Sequence, residues 1–253
     1  MTDTHCHLYL PAFDDDRDAV MQRAGDAGVK RFYLPAIDMS CTARMEMMEE
    51  KYSGRCFAMA GLHPCSVKEN YREELQHVER QLTQRKFAGI GETGLDLYWD
   101  KTFIKEQNIA LEVQAELALQ YDLPLILHTR NATQETIDVI KKFKGGGLKG
   151  IFHCFGGPEN EAMQIIDLGF YLGIGGVLTY KNSGLDTALK NIDMDHIVLE
   201  TDAPYLSPVP LRGKRNESSY LVYIAEKLAE IKNISLEEVK SITTVNAEKI
   251  FGQ

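Results

Sequence analysis

No Cys-x-x-Cys occurs among the five cysteines, whose number is odd and spacing irregular. Cys6, Cys41, Cys56, Cys65 and Cys154 therefore supply neither a zinc knuckle nor a disulfide framework, and they fit a reducing compartment. No apolar run reaches the roughly 18 residues of a membrane span. The first residues show no basic stretch followed by an apolar one. The expectation is a cytoplasmic protein without a membrane partner. Blocks of lysine and arginine are also missing, and the net charge is −9. On electrostatics alone this argues against tight, non-specific duplex binding, although bound divalent cations can hold phosphate locally. The glycine clusters at 145–147 and 173–176 follow neither a P-loop nor a dinucleotide pattern and read as turns. No linker, low-complexity segment or repeat divides the chain, so one domain over 1–253 is expected.

What is present is a series of eight short apolar runs, at 1–5, 29–37, 56–63, 87–92, 123–129, 148–154, 170–177 and 196–202. Stretches with helical spacing alternate with them, at 14–27, 105–121, 131–142, 159–167, 184–191 and 218–232. The clearest is 105–121, with Ile109, Leu111, Val113, Leu117 and Leu119 among polar residues. Ser235-Leu236-Glu237-Glu238 has the form of a capping box and opens a last helix. Strand starts recur every roughly 22 to 36 residues, about what one βα unit needs. The strands read as continuously apolar, as in a parallel sheet buried on both faces. With 253 residues, this alternation predicts an α/β fold: a single (β/α)8 TIM barrel whose site lies at the C-terminal ends of the strands.

Ligand-type residues gather at those ends. Residues two apart in a strand share a face, so His5 and His7 pair, with Asp3 behind them. Glu92, His128, His153 and Asp202 end four further runs. Six such ligands exceed the three that hold a catalytic zinc, but they suffice for two divalent ions about 3.5–4 Å apart with a bridging carboxylate. The expected arrangement gives His5, His7 and Asp202 to one ion and His128 and His153 to the other, with Glu92 bridging. Asp202 is the general base and proton shuttle, and Glu92 and Asp202 are the catalytic carboxylates. Mixed nitrogen and oxygen ligands suit zinc, manganese or magnesium alike. Asp3 and Glu200 should point inward and orient a ligand or pair with His63. His63 alone reads equally well as a hydrogen-bonded core residue. Cys154 should face away from the metals. Tyr98, Trp99 and Arg130 follow strand ends and are candidates to bind substrate. Lys101, Arg130, Lys181, Arg212, Lys214 and Arg215 are candidates for a phosphate-facing rim.

Several strings, in order along the chain, resemble the TatD family of metal-dependent DNases, within the amidohydrolase-like barrels. They are Asp3-Thr4-His5-Cys6-His7-Leu8, Gly61-Leu62-His63-Pro64, Gly89-Ile90-Gly91-Glu92-Thr93-Gly94-Leu95-Asp96, Leu127-His128-Thr129-Arg130, His153-Cys154-Phe155 and Leu199-Glu200-Thr201-Asp202-Ala203-Pro204. The Gly-Glu-Thr-Gly-Leu-Asp and Glu-Thr-Asp-Ala-Pro strings are specific; His-x-His alone is shared with many hydrolases. The resemblance implies a TIM-barrel phosphodiesterase that removes nucleotides from DNA 3′ ends, with two divalent ions on the same six residues. It further implies that His63 and Arg130 bind substrate near its phosphate. The expected partner is DNA, at single strands or 3′ ends, and the expected state is monomeric. Glu92 stands where the wider superfamily often has a carboxylated lysine. One departure is visible: Ser218 follows Arg215-Asn216-Glu217, where the family usually has proline. The competing readings are a metal-dependent deacylase of aminoacyl-tRNA and an amidohydrolase on a small molecule, because such a centre attacks carbon and phosphorus alike. A binding protein with a structural metal would lack ligands or the base, and none is missing.

Overall fold

The computed structural model describes residues 1–252; Gln253, the last residue of the expected domain, lies outside the described residues. The strands are β1 (Thr2–Asp3), β2 (Arg31–Pro35), β3 (Cys56–Met59), β4 (Ile90–Asp96), β5 (Leu125–Arg130), β6 (Gly150–Phe152), β7 (Phe170–Ile174) and β8 (Ile197–Leu199). All pairings are parallel and sequential, β1 to β3 and β4 to β8. A bridge between Ala60 and Ile90 links β3 to β4. The Thr4 N–H donates to the Leu199 carbonyl at 3.1 Å and links β8 back to β1. The fold is a (β/α)8 TIM barrel.

The helices are α1 (Arg17–Asp26), α2 (Thr42–Lys51), α3 (Tyr71–Gln84), α4 (Ile104–Gln120), α5 (Thr133–Ile140), α6 (Glu159–Asp167), α7 (Leu185–Leu189), α8 (Leu221–Lys232) and α9 (Leu236–Phe251). The capping box at Ser235 and Glu238 forms as expected, each side chain accepting from the other's backbone N–H. Among the described residues no helix is long and apolar enough to cross a membrane.

Period two sorts the strand residues into two sets. Leu34, Leu125, Leu127, Phe152, Leu172 and Leu199 pack with helix residues such as Val20, Met45, Leu111, Ile137 and Ile165, so they face outward. Tyr33, Met59, Ile126, Ile151 and Val198 come from strands all around the ring yet form one cluster, which places them in the barrel interior. The end of α9 joins them: Ala247, Ile250 and Phe251 close the floor, with Phe251 stacked on Tyr33 at 3.6 Å between centroids. The interior below is therefore apolar. Two residues further along, the same inward face carries His128 and Glu200, and His153 just beyond β6.

Four elements that shape the site differ from the sequence expectation. β1 and β8 end early, at Asp3 and Leu199, so His5, His7 and Asp202 lie beyond the strands. β4 runs past Glu92 to Asp96, with a register shift between Ile90 and Thr93. The buried face of α4 comprises Gln107, Ala110, Leu111, Gln114, Ala115, Leu117 and Ala118, while Ile109 is 45% exposed. The glutamines turn inward because they satisfy loop backbone. Gln114 accepts from the Leu62 N–H at 2.8 Å and donates to the Thr93 hydroxyl at 2.6 Å, and Gln107 accepts from the Asp96 N–H at 3.0 Å.

Gly94 has φ +142°, and a Cβ there would lie 2.1 Å from the His128 carbonyl oxygen. Neither the backbone conformation nor the β4–β5 spacing admits a side chain. Gly94→Ala is expected to cost about 3 kcal/mol. A urea unfolding midpoint equal to that of the unsubstituted protein would refute this.

Candidate metal centre

The upper layer of the interior is built by continuing the strand hydrogen bonding beyond the strand ends. The Asp202 N–H donates to the His5 carbonyl at 2.9 Å, and the His7 N–H to the Ala203 carbonyl at 2.7 Å. The β1 and β8 extensions are thus laced together and bring His5, His7 and Asp202 side by side. The His153 N–H donates to the Leu127 carbonyl at 2.9 Å, which holds His153 next to His128. The Glu92 N–H donates to the Ala36 carbonyl at 3.0 Å.

Glu92 is the hub. Its Oε2 lies 3.1 Å from His5 Nε2 and 3.5 Å from His7 Nε2. Its Oε1 lies 2.8 Å from His128 Nδ1, 3.0 Å from His153 Nε2 and 3.3 Å from His63 Nε2. Asp202 Oδ1 lies 3.4 Å from His7 Nε2 and 3.7 Å from His5 Nε2. His63 sits as close to Glu92 as the other imidazoles do, and it pairs with Glu92, not with Asp3 or Glu200. Three overlapping groups have ligand atoms within 4.8 Å of one another: His5, His7 and Glu92; His63, Glu92 and His128; and His5, His153 and Asp202.

Neighbouring groups set the histidine protons. The Tyr9 hydroxyl donates to the Pro35 carbonyl at 2.7 Å, so its oxygen accepts from His7 Nδ1 at 2.9 Å. With Nδ1 committed to Tyr9, His7 aims Nε2 at Glu92 and Asp202, where a cation in place of the Nε2 proton would meet its lone pair. His153 Nδ1 donates to Glu200 Oε1 at 3.1 Å and likewise turns Nε2 inward. Glu200 also accepts from the Cys154 N–H at 2.6 Å. Gly173 leaves room for it, since a Cβ there would lie 2.3 Å from Glu200 Oε2. His128 is held between two carboxylates, with Nε2 3.0 Å from Asp96 Oδ2.

Asp3 is fully buried and ties the segments together. It accepts from the Thr201 N–H at 2.9 Å, the Thr201 hydroxyl at 2.6 Å and the Ser218 hydroxyl at 2.6 Å. Burial nevertheless pushes its carboxyl up to about 7 against those bonds. Burial also disfavours the charged form of Glu92, but His153, His63 and His5 outweigh it and hold the carboxyl well below its usual range. Asp202 is lowered in the same way, against its burial, chiefly by the His7 hydrogen bond. Burial lowers His5 and His63. His7, also buried, is raised to about 9 by Asp202 and Glu92.

The donor set fits divalent cations. Imidazole nitrogens and ionised carboxylates converge from all sides, and divalent cations displacing the imidazole protons would find nitrogen and oxygen donors on every side. Ligand atoms at about 2.1 Å from a tetrahedral ion are about 3.4 Å apart, and the separations here run from 2.8 to 3.7 Å.

The cluster floors an open cavity of about 730 Å³, walled by Ile37, Cys65, Trp99, Arg130, Tyr205 and Leu206 among others. Two sequence expectations fail here. Cys154 lines this cavity rather than facing away, because β6 ends at Phe152 and Cys154 takes φ +47°. Arg215 is no part of a free rim, since its guanidinium pairs with both oxygens of Asp16 at 2.8 and 2.7 Å. Sequence reasoning missed Asp96 and Tyr9. Asp96 stands four residues after Glu92, hence on the same face at period two, and Tyr9 stands two after His7; both signals were there to be read. Ser218, at the departure from the family pattern, donates its hydroxyl to Asp3 at 2.6 Å.

The TatD related DNase family matches residues 2–252. The chain is 38% identical over 251 residues to an uncharacterized metal-dependent hydrolase, YabD, of Bacillus subtilis, covering 98% of each. It is 31% identical over 253 residues to another, YjjV of Escherichia coli, covering 99% of this chain and 97% of that protein. The crystal structure of YjjV, a TatD homolog, superposes with a TM-score of 0.94 over 100% of this chain and 98% of that one.

Tyr9→Phe removes the oxygen that accepts from His7 Nδ1 while keeping the ring. Metal affinity is expected to fall about tenfold, with the fold retained. Calorimetric titration of zinc or manganese giving an unchanged dissociation constant would show that Tyr9 does not orient His7.

Proposed function

The chain belongs to the family of TatD-related DNases, which are metal-dependent hydrolases, and we propose that it is a 3′→5′ DNA exonuclease with a dinuclear divalent metal centre. The observation that carries the dinuclear reading is Glu92, whose two oxygens face separate histidine groups, His5 with His7 and His63 with His128 and His153. In this reading His5, His7 and Asp202 hold one ion, His128 and His153 the other, and Glu92 bridges them. Magnesium, manganese and zinc all suit these donors. The ions would polarise the scissile phosphate and acidify the attacking water.

The chain's own residues divide the remaining work. Asp202 reaches the cavity with 14% of its side chain exposed, and its carboxyl is held ionised, so it can take the proton from water. His63 and Arg130 steady the phosphate from the cavity wall, Arg130 by charge-assisted hydrogen bonds. Asp3, Tyr9 and Glu200 keep the ligands in place so that no reorganisation is needed during reaction. The protein works as a cytoplasmic monomer on unpaired DNA or 3′ ends. The cavity volume also falls within the range of small-ligand sites. That favours, as a second reading, a deacylase or small-molecule amidohydrolase using the same residues.

A 5′-labelled single-stranded oligonucleotide separates the two. With magnesium or manganese, a ladder shortening from the 3′ end is expected, abolished by EDTA. Asp202→Asn should lower kcat by about 100- to 10,000-fold with the fold intact. Intact DNA, from protein carrying two ions by elemental analysis, would move the assignment to the second reading. Near-normal rates in Asp202→Asn would remove that residue as the base. Glu92→Gln is expected to lose metal at both positions, and full occupancy of two ions would contradict a bridging role.

A further inference from the structure

Two aromatic side chains stand exposed at the mouth of the cavity. Trp99 is 66% exposed and Tyr205 is 52% exposed, and both line the space above the histidine cluster. Trp99 follows β4 and Tyr205 follows β8. In a ring of eight strands, these positions are four strands apart, on opposite sides of the mouth. Neither is on a loose loop. The Tyr98 and Trp99 N–H groups both donate to Asp96 Oδ1, at 2.9 and 3.0 Å. The Tyr205 N–H donates to the Asp202 carbonyl at 2.8 Å, and its own carbonyl accepts from Asn216 at 2.6 Å. Each platform is thus fixed to a carboxylate residue of the centre, and the Tyr205 ring lies 6.2 Å from that of His7. The Arg130 guanidinium stacks 4.1 Å from the Tyr98 ring and 5.1 Å from the Trp99 ring, in an exposed position at the end of β5.

We propose that Trp99 and Tyr205 form a base-stacking clamp, each receiving one unpaired nucleobase on either side of the phosphate at the centre, with Arg130 engaging the adjoining backbone. The inference rests on the phosphodiesterase reading above and names the specificity residues of that same site. Large exposed π faces fixed beside an exposed guanidinium are the chemistry by which single-stranded nucleic acid is held without reading its sequence. In a duplex both faces of a base are covered by its neighbours, so this clamp selects frayed or single-stranded ends. An occupant without flat π faces, such as an aliphatic amide, would leave both platforms unused.

Trp99 is the only tryptophan in the chain, so its fluorescence reports on the clamp directly. The protein loaded with manganese is titrated with a single-stranded phosphorothioate oligonucleotide that resists cleavage. Saturable quenching is expected. The same oligonucleotide with abasic residues at its 3′ end should bind more weakly and quench little. In steady-state assays on single strands, Trp99→Ala and Tyr205→Ala should each raise KM about tenfold, with kcat changed much less. Trp99→Phe should recover most of the loss, and the preference for single strands over blunt duplex should shrink in both alanine variants. Equal quenching by the abasic and intact oligonucleotides, or KM unchanged in both alanine variants while wild-type protein degrades DNA, overturns the clamp and leaves the exonuclease reading standing. No cleavage of any DNA by wild-type protein carrying two ions overturns that reading, and the clamp with it.

Discussion

The upper half of the barrel depends on Glu92. Its carboxylate is 3% exposed and surrounded by five of the chain's seven histidines, every contact at 3.5 Å or less. An ionised carboxylate this deep costs several kcal/mol unless positive charge compensates it. Protons and divalent cations can both do so. The direction of the titrations shows the competition: although burial opposes charge on them, His7 and His153 are pushed up by the carboxylates around them. Metal ions placed between the same groups would displace those protons, because a ligating imidazole must present a lone pair. The histidine cluster and the buried carboxylate are therefore one electrostatic unit, and neither is stable in this position without the other.

Such a unit needs a frame that fixes lone-pair directions, and the frame is polar. Asp3 binds the β8 extension through Thr201 and the segment before α8 through Ser218. Tyr9 and Glu200 each fix one histidine proton. From α4, Gln107 holds the Asp96 backbone, and Gln114 holds the Thr93 hydroxyl and the Leu62 backbone. Proline, which the family usually carries at position 218, has no hydroxyl. This chain gives Asp3 an additional donor in its place, at a carboxylate two residues from His5. Below this frame the interior is hydrocarbon, closed by Tyr33 and Phe251. The floor packs as hydrocarbon, and above it most buried polar atoms have partners, His5 Nδ1 and Glu200 Oε2 excepted.

Legibility in the sequence followed the reach of period two. Ile126 with His128 and Ile151 with His153 alternate within or just beyond a strand, and the rule put each histidine on the interior face. At Cys154 it failed, because the chain leaves extended geometry at φ +47°. His5, His7 and Asp202 were nominated as strand-end residues, yet they lie past the strands and are aligned by backbone bonds between two extensions. That pairing joins residues about two hundred positions apart, and local pattern carries no trace of it. The apolar stripe of α4 was misphased for a related reason. Ile109 looks like a core residue and Gln114 like a surface one. The hydrogen-bonding needs of Leu62 and Thr93 reverse them, and those needs arise only in the folded barrel. Arg215 looked free for phosphate because its partner, Asp16, is distant in sequence.

The two carboxylates at the heart of the centre are made unequal by position, and their inequality bears on chemistry. Glu92 sits inside a strand beneath the imidazoles, with 4% of its side chain exposed against 14% for Asp202. Asp202 sits where the chain turns at φ +56°, a conformation that aspartate tolerates better than most residues. One oxygen faces His7 and the side chain borders the cavity. In the proposed reaction the group that takes a proton from water must contact both the reacting water and bulk solvent, and of these two Asp202 is the more open. The proposed bridging role asks instead for a carboxylate that neither moves nor protonates during the cycle, and burial among five imidazoles suits Glu92 to it. A barrel can separate these duties without separating the residues in space. Its interior is sealed by side chains below and open to loops above, so a step of a few ångströms along the axis carries a carboxylate from one dielectric regime into the other.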